Sequence, residues 1–157
     1  MTEATEKDRR AARLIERALE AAVGPYIPGE PRGLSAAHAG EREAPRFADT
    51  LAALEGIERF DRASFRTAYL DGALAEWRHG GEVVDGARET TIRAWTCPLR
   101  SAATLDPRVC AGCRAFQEGV ARAALPGEVE AVTFERLITR GDPVCETTIR
   151  WRREPSS

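Results

Sequence analysis

Thr133-Phe134-Glu135-Arg136-Leu137-Ile138-Thr139-Arg140-Gly141-Asp142-Pro143-Val144-Cys145-Glu146-Thr147-Thr148-Ile149 is the stretch whose reading decides the fold. Apolar and β-branched residues stand on both sides of a Gly-Asp-Pro turn signal, which predicts two strands, roughly 128–139 and 144–152, joined as a hairpin by Thr139 to Pro143. A turn centred near Gly141 pairs Cys145 with Leu137. Side chains alternate along a strand, so this register puts Cys145, Thr147, Ile149 and Trp151 on one face with Glu135 and Leu137.

Upstream of the hairpin, Asp106-Pro107 is a strong helix start, with Asp as N-cap and Pro at the first helical position. That helix is expected to run to about Leu125, stop at Pro126-Gly127, and pack on the hairpin face that bears Cys145. Before it, Thr90, Ile92, Ala94 and Thr96 alternate with Thr91, Arg93, Trp95 and Cys97, predicting a strand from Arg88 to Cys97.

The N-terminal half reads as helical. Ala12, Ile15, Leu19, Ala22 and Val23 recur at helical spacing within 3–23. Pro25, Pro28, Pro31 and Pro45, with Gly29, Gly33 and Gly40, predict a long loop from Pro25 to Pro45. Phe47, Leu51, Leu54 and Ile57 mark a second helix. A third, capped by Asp61, carries Phe65, Tyr69, Ala73 and Trp77 on one face and ends at His79-Gly80-Gly81. The whole predicts one α+β domain over 1–157, its N-terminal helices packed with a C-terminal antiparallel sheet in β-α-β-β order. Its parts are 1–45, a helical part at 46–86 and a cysteine-bearing part at 87–152. The aromatic stripe is read first as core. As a second reading, Phe65, Tyr69 and Trp77 face Trp95 and Trp151 across a ligand pocket.

With 157 residues and 43% hydrophobic content, the chain has material for a real core. A net charge of −2 supplies no basic field for nucleic acid. No apolar run approaches the roughly 18 residues that span a bilayer, and the N-terminus lacks the pattern of a signal peptide. The expectation is a cytoplasmic protein with neither nucleic-acid nor membrane partners.

Cys97, Cys110, Cys113 and Cys145 are the only cysteines, all in the last third. In a reducing compartment, cysteines bind metal or do redox work more often than they form disulfides. Cys110 and Cys113 share a helix face near its start, where the helix dipole favours thiolate. With Cys145 on the covered sheet face and Cys97 at a strand end, a four-thiolate site is expected. Zinc is the first choice and an iron–sulfur cluster the alternative. The competing readings are plain buried thiols and a redox pair at Cys110 and Cys113. Glu135 is the candidate ligand or general base, its plain reading being an edge-strand carboxylate. His38 and His79 lie beside loop formers and read as surface residues. There is neither a Ser-His-Asp motif nor a Gly-rich phosphate loop.

The order Cys-Pro at a strand end, Cys110, Cys113 and Gly119 on a helix, Glu135 mid-strand, and Gly141-Asp142-Pro143-Val144-Cys145 resembles the 4-vinyl reductase domain and its relatives over 88–152. Those relatives include sensor domains of phenol-responsive regulators and L-2-amino-thiazoline-4-carboxylic acid hydrolase-like proteins. The resemblance implies helices on an antiparallel sheet, with a small-molecule pocket near a zinc site. Cys110 or Cys113, Glu135 and Cys145 match the ligand positions of the sensors. Ile138 departs from them, standing where the sensors have a further cysteine, so the second helix cysteine or Cys97 would replace it. The functional expectation is a metal-binding, small-molecule-binding domain, with a homodimer as candidate assembly. The alternatives are a hydrolase acting on a C–N bond and a thiol redox or iron–sulfur protein.

Overall fold

Two short polar residues start the first helix. The Thr5 and Asp8 side chains each accept a hydrogen bond from the other's backbone N–H, both at 3.0 Å, at the head of α1 (Glu6–Val23). Its apolar stripe of Ala11, Ile15 and Leu19 is buried. The structure is a computed structural model that describes residues 5–23, 33–100 and 109–153, with the backbone alone over 20–23 and 33–39. The Asp106-Pro107 helix start and the residues of the expected loop at 25–32 lie outside this set, as does the His38 side chain.

The second helix, α2 (Gly33–Glu55), corrects the sequence expectation, because helix occupies 33–45 where loop was predicted and Pro45 lies inside it. A proline in a helix interior costs on the order of 3 kcal/mol. Packing overrides that cost here. Gly40, Ala44, Phe47 and Leu51 form a buried stripe that lies along α5 (Val109–Ala124). The two helices cross closely. A Cβ on Gly40 would lie 2.5 Å from the Gly112 carbonyl oxygen, and one on Gly119 would lie 2.7 Å from the Ala44 Cβ. Phe47 then meets Phe116 edge to face, with ring centroids 5.2 Å apart.

Asp61 caps the third helix as expected, in a reciprocal box with Ser64. The rod has three parts: α3 (Arg62–Phe65), a π-wound segment (Arg66–Leu74) and α4 (Ala75–Trp77). Phe65, Tyr69, Ala73 and Trp77 are buried, and so are Ala68, Leu70, Gly72 and Leu74. The rod therefore presents a wide apolar surface. It ends where His79 and Gly80 take positive φ of 58° and 118°.

Four antiparallel strands follow in the order β1-β2-β4-β3: β1 (Glu82–Asp85), β2 (Glu89–Ala94), β3 (Val129–Arg136) and β4 (Cys145–Trp151). The fold is α+β, with the helices mostly N-terminal and the sheet C-terminal, as the sequence predicts. The sequence reading missed β1, a short strand of exposed and half-buried residues without a clear alternation. Thr90, Ile92 and Ala94 pair with Ile149, Thr147 and Cys145 on the inner face. Phe65 and Leu70 of the 62–77 rod border a common cleft with Thr90 and Trp151 of that face. Arg62 also lies over the Trp151 ring, 5.0 Å from its centroid. The expectation that the Cys110/Cys113 helix covers the sheet is corrected. Helix α5 lies chiefly along α2 and meets the sheet mainly at β3.

Candidate functional site

Arg78 follows the last residue of the rod and is only 6% exposed. Its N–H donates to the Leu74 carbonyl at 3.0 Å, and its own carbonyl accepts from the Thr96 hydroxyl. The guanidinium Nη1 is buried and bonds to no group among the described residues. The Tyr69 hydroxyl is likewise buried without a partner. Burial pushes the Tyr69 phenol well up, against the pull of the Arg78 charge.

The cysteines share this field. Burial pushes the Cys113 thiol up to about 12, opposed by the Arg78 charge and by the Gln117 side-chain amide, which donates to Sγ at 3.1 Å. Cys110 and Cys97 push it further in the same direction. Burial also raises Cys97, opposed by the Leu99 N–H and Arg78 and reinforced by Cys145 and Cys110. Each of the four expected cysteines is thus within electrostatic reach of at least one other, and all four are free thiols. Among the described residues, no three His, Cys, Asp or Glu side chains gather closely enough to hold a metal ion. The helix start was expected to favour thiolate, but at Cys113 burial pushes the thiol the other way. Cys145 begins β4 opposite Ala94, and its Sγ accepts from the Ile138 N–H at 3.3 Å.

Glu135 is not on the face of Cys145. Phe134 pairs with Thr147 and Arg136 with Glu146, so Glu135 is the extra residue of a β-bulge. It is exposed and accepts from the Thr133 hydroxyl at 3.4 Å. The bulge corrects the simple alternation and sets Glu135 beside Glu146 on the outer face. There Arg93 at 2.6 Å and Arg136 at 2.9 Å hold the Glu146 carboxyl down near 2.

Two clefts flank the rod. The larger, about 1190 Å³, has an apolar floor of Leu70, Leu74, Val83 and Ile92, and Arg78 also lines it. The smaller, about 450 Å³, is lined by Phe65, Leu70, Thr90 and Trp151 among others. Of the aromatic residues expected to line a pocket, Phe65 and Trp151 border the smaller cleft, while Tyr69 and Trp77 are core. Trp95 is corrected from pocket wall to surface: it lies just past the end of β2, is 55% exposed and borders neither cleft. Trp151 donates through Nε1 to the Thr90 hydroxyl at 3.0 Å. Sequence reasoning missed Arg78 and the Leu70–Leu74 floor. The one available signal was a charged residue directly after the Phe65–Trp77 stripe.

The class defined by this geometry is an α+β domain whose helical rod lies between an antiparallel sheet and a helix pair and leaves a cleft at its side. Among solved structures, the chain is similar to a trafficking protein particle complex subunit 3 from Naegleria fowleri, crystallised covalently bound to palmitic acid. The TM-score is 0.55 at 12% identity, over 97% of this chain and 98% of that one, so the likeness is one of fold. No family model matches the sequence, and no curated protein matches it.

Proposed function

We propose that the chain is a small-molecule-binding domain whose ligand has a largely apolar body. The observation that carries this reading is the 1190 Å³ cleft, lined by Leu70, Leu74, Val83 and Ile92 together with charged residues such as Lys7, Asp71 and Arg93. Ligand pockets combine such apolar walls with a few placed polar groups. The palmitic acid in the fold neighbour's crystal structure supports a lipid-like ligand. The resemblance of residues 88–152 to the 4-vinyl reductase type supports the same class of function. A homodimer belongs to this proposal as its assembly, to be checked by light scattering.

Thermal unfolding with added ligands tests the reading. Medium-chain aliphatic compounds are expected to raise the melting temperature, because a ligand that binds only the folded state stabilises it. Val83→Trp, placed at a half-buried cleft position, should abolish that rise while leaving the unliganded melting temperature close to native. No rise with any apolar ligand, or a rise that survives Val83→Trp, refutes the proposal.

The electrostatic influence of Cys97, Cys110, Cys113 and Cys145 on one another favours a second reading, a thiolate-held zinc. It requires the sulfurs to draw together on loading, since zinc takes its thiolates at about 2.3 Å. Elemental analysis of anaerobically purified protein decides it. Stoichiometric zinc that Cys113→Ser removes supports the site, and metal-free protein sinks it.

A further inference from the structure

Charge alternates across the outer face of the sheet. In one row over all four strands, Glu82 pairs with Arg93, Arg93 with Glu146 and Glu146 with Arg136. Ion pairs of 3.3, 2.6 and 2.9 Å join these neighbours in turn. The next row on that face is uncharged, with Val84, Thr91, Thr148 and Thr133 side by side. In the row beyond it, Arg150 meets Glu89 at 3.1 Å. The side chains of Glu82, Arg93, Arg136, Glu89 and Arg150 are 35–55% exposed, and Val84 is 44% exposed, so the face is open.

We propose that this face binds a second copy of the chain, sheet on sheet, about a two-fold axis parallel to the strands and between β2 and β4. This deepens the homodimer reading and rests on it. Such an axis lays β1 over β3 of the second copy and β2 over its β4. Glu82 then meets Arg136 of the second copy, Arg93 meets Glu146, and Glu89 meets Arg150. Symmetry repeats each contact, so all six charges of the two rows face an opposite charge. The neutral row meets itself in reverse, with Thr91 against Thr148 at the centre. A two-fold interface uses one self-complementary patch on both copies. Packed sheets keep their strands nearly aligned, and opposite potentials fix the register. An axis across the strands serves less well, because Glu82 and Arg136 would then face no charge of either row. Glu135, beside Glu146, adds a carboxylate that no opposite cation answers, and this weakens the contact.

Sedimentation equilibrium tests the interface. The native chain is expected to dimerise, with a Kd that rises at least tenfold between about 0.05 M and about 0.5 M salt, as exposed charges are screened. Thr91→Arg places two cations at the centre and should leave a folded monomer. Glu82→Arg sets a cation opposite Arg136 of the second copy and should raise Kd at least tenfold. Adding Arg136→Glu to it should restore the dimer. A native chain that stays monomeric up to roughly millimolar concentration overturns the interface and the homodimer reading together. The small-molecule reading then stands or falls by its own ligand test. A dimer that survives Thr91→Arg, or whose Kd ignores salt, overturns the interface alone. If Thr91→Arg does not fold, the edge-strand variants decide: no loss with Glu82→Arg, or no recovery in the double variant, rejects the proposal.

Discussion

Gly40 and Gly112 meet with no side chain between their helices: a Cβ on Gly40 would stand 2.5 Å from the Gly112 carbonyl oxygen and 3.1 Å from the Phe116 backbone nitrogen. Both obstacles are backbone and cannot rotate away. Gly40→Ala should therefore force α2 and α5 apart. Overpacking of this kind costs about 2 kcal/mol, or a fall of roughly 5 °C in melting temperature for a chain of this length. Calorimetry of the variant checks it, and an unchanged midpoint would mean that the helices separate freely.

Pro45 is exposed within α2, where it provides no backbone N–H. Pro45→Ala should restore one helical hydrogen bond. The gain is smaller than the roughly 3 kcal/mol propensity difference, because the unfolded chain also gains freedom. A rise of a few degrees in melting temperature is expected.

Glu146 links stability to acid. Its carboxyl is held near 2 by hydrogen bonds from Arg93 first and Arg136 second, against an ordinary value of 4.5. A depressed folded pKa gives stability that is present above the unfolded value and lost as pH falls from about 4.5 towards 2. Glu146→Gln removes this contribution. Its melting temperature should lie below the native one at pH 7, with the gap closing towards pH 2 in paired scans.

Cys113 should resist alkylation. With its thiol pushed up to about 12 and its side chain buried, almost no thiolate exists at pH 8. Iodoacetamide labelling followed by peptide mapping should leave Cys113 unmodified in the folded protein and modified in denaturant. Rapid native labelling at Cys113 would return the redox reading of the Cys110/Cys113 pair.

The parts of the fold legible in the sequence were those where local chemistry and tertiary packing agree. Asp61 caps a helix, Thr90 to Ala94 alternate, and Gly141 turns the hairpin at φ 95°. The misreadings came where packing overruled local preference. Gly40 and Pro45 read as loop formers, but Gly40 serves a close helix crossing that is invisible without its partner. Glu135 was assigned to the inner face by alternation, and a single bulge moved it outward. The cysteines act on one another's titration, but among the described residues no three metal-ligating side chains gather. Arg78 was not legible, because burial of a charged residue follows from three-dimensional surroundings and not from spacing.

The nine residues wound as a π segment have a consequence for how the rod tolerates change. Each turn of that winding closes from residue i to i+5, one residue later than in an α-helix, so the segment holds more chain per turn. It joins two buried residues, Phe65 before it and Arg78 after it. Removing one residue within the segment would let a turn rewind as ordinary α-helix, because that turn already holds one residue more than an α turn needs. The segment is therefore the place in the rod where a change of length is absorbed by rewinding and not passed on to the core contacts at either end.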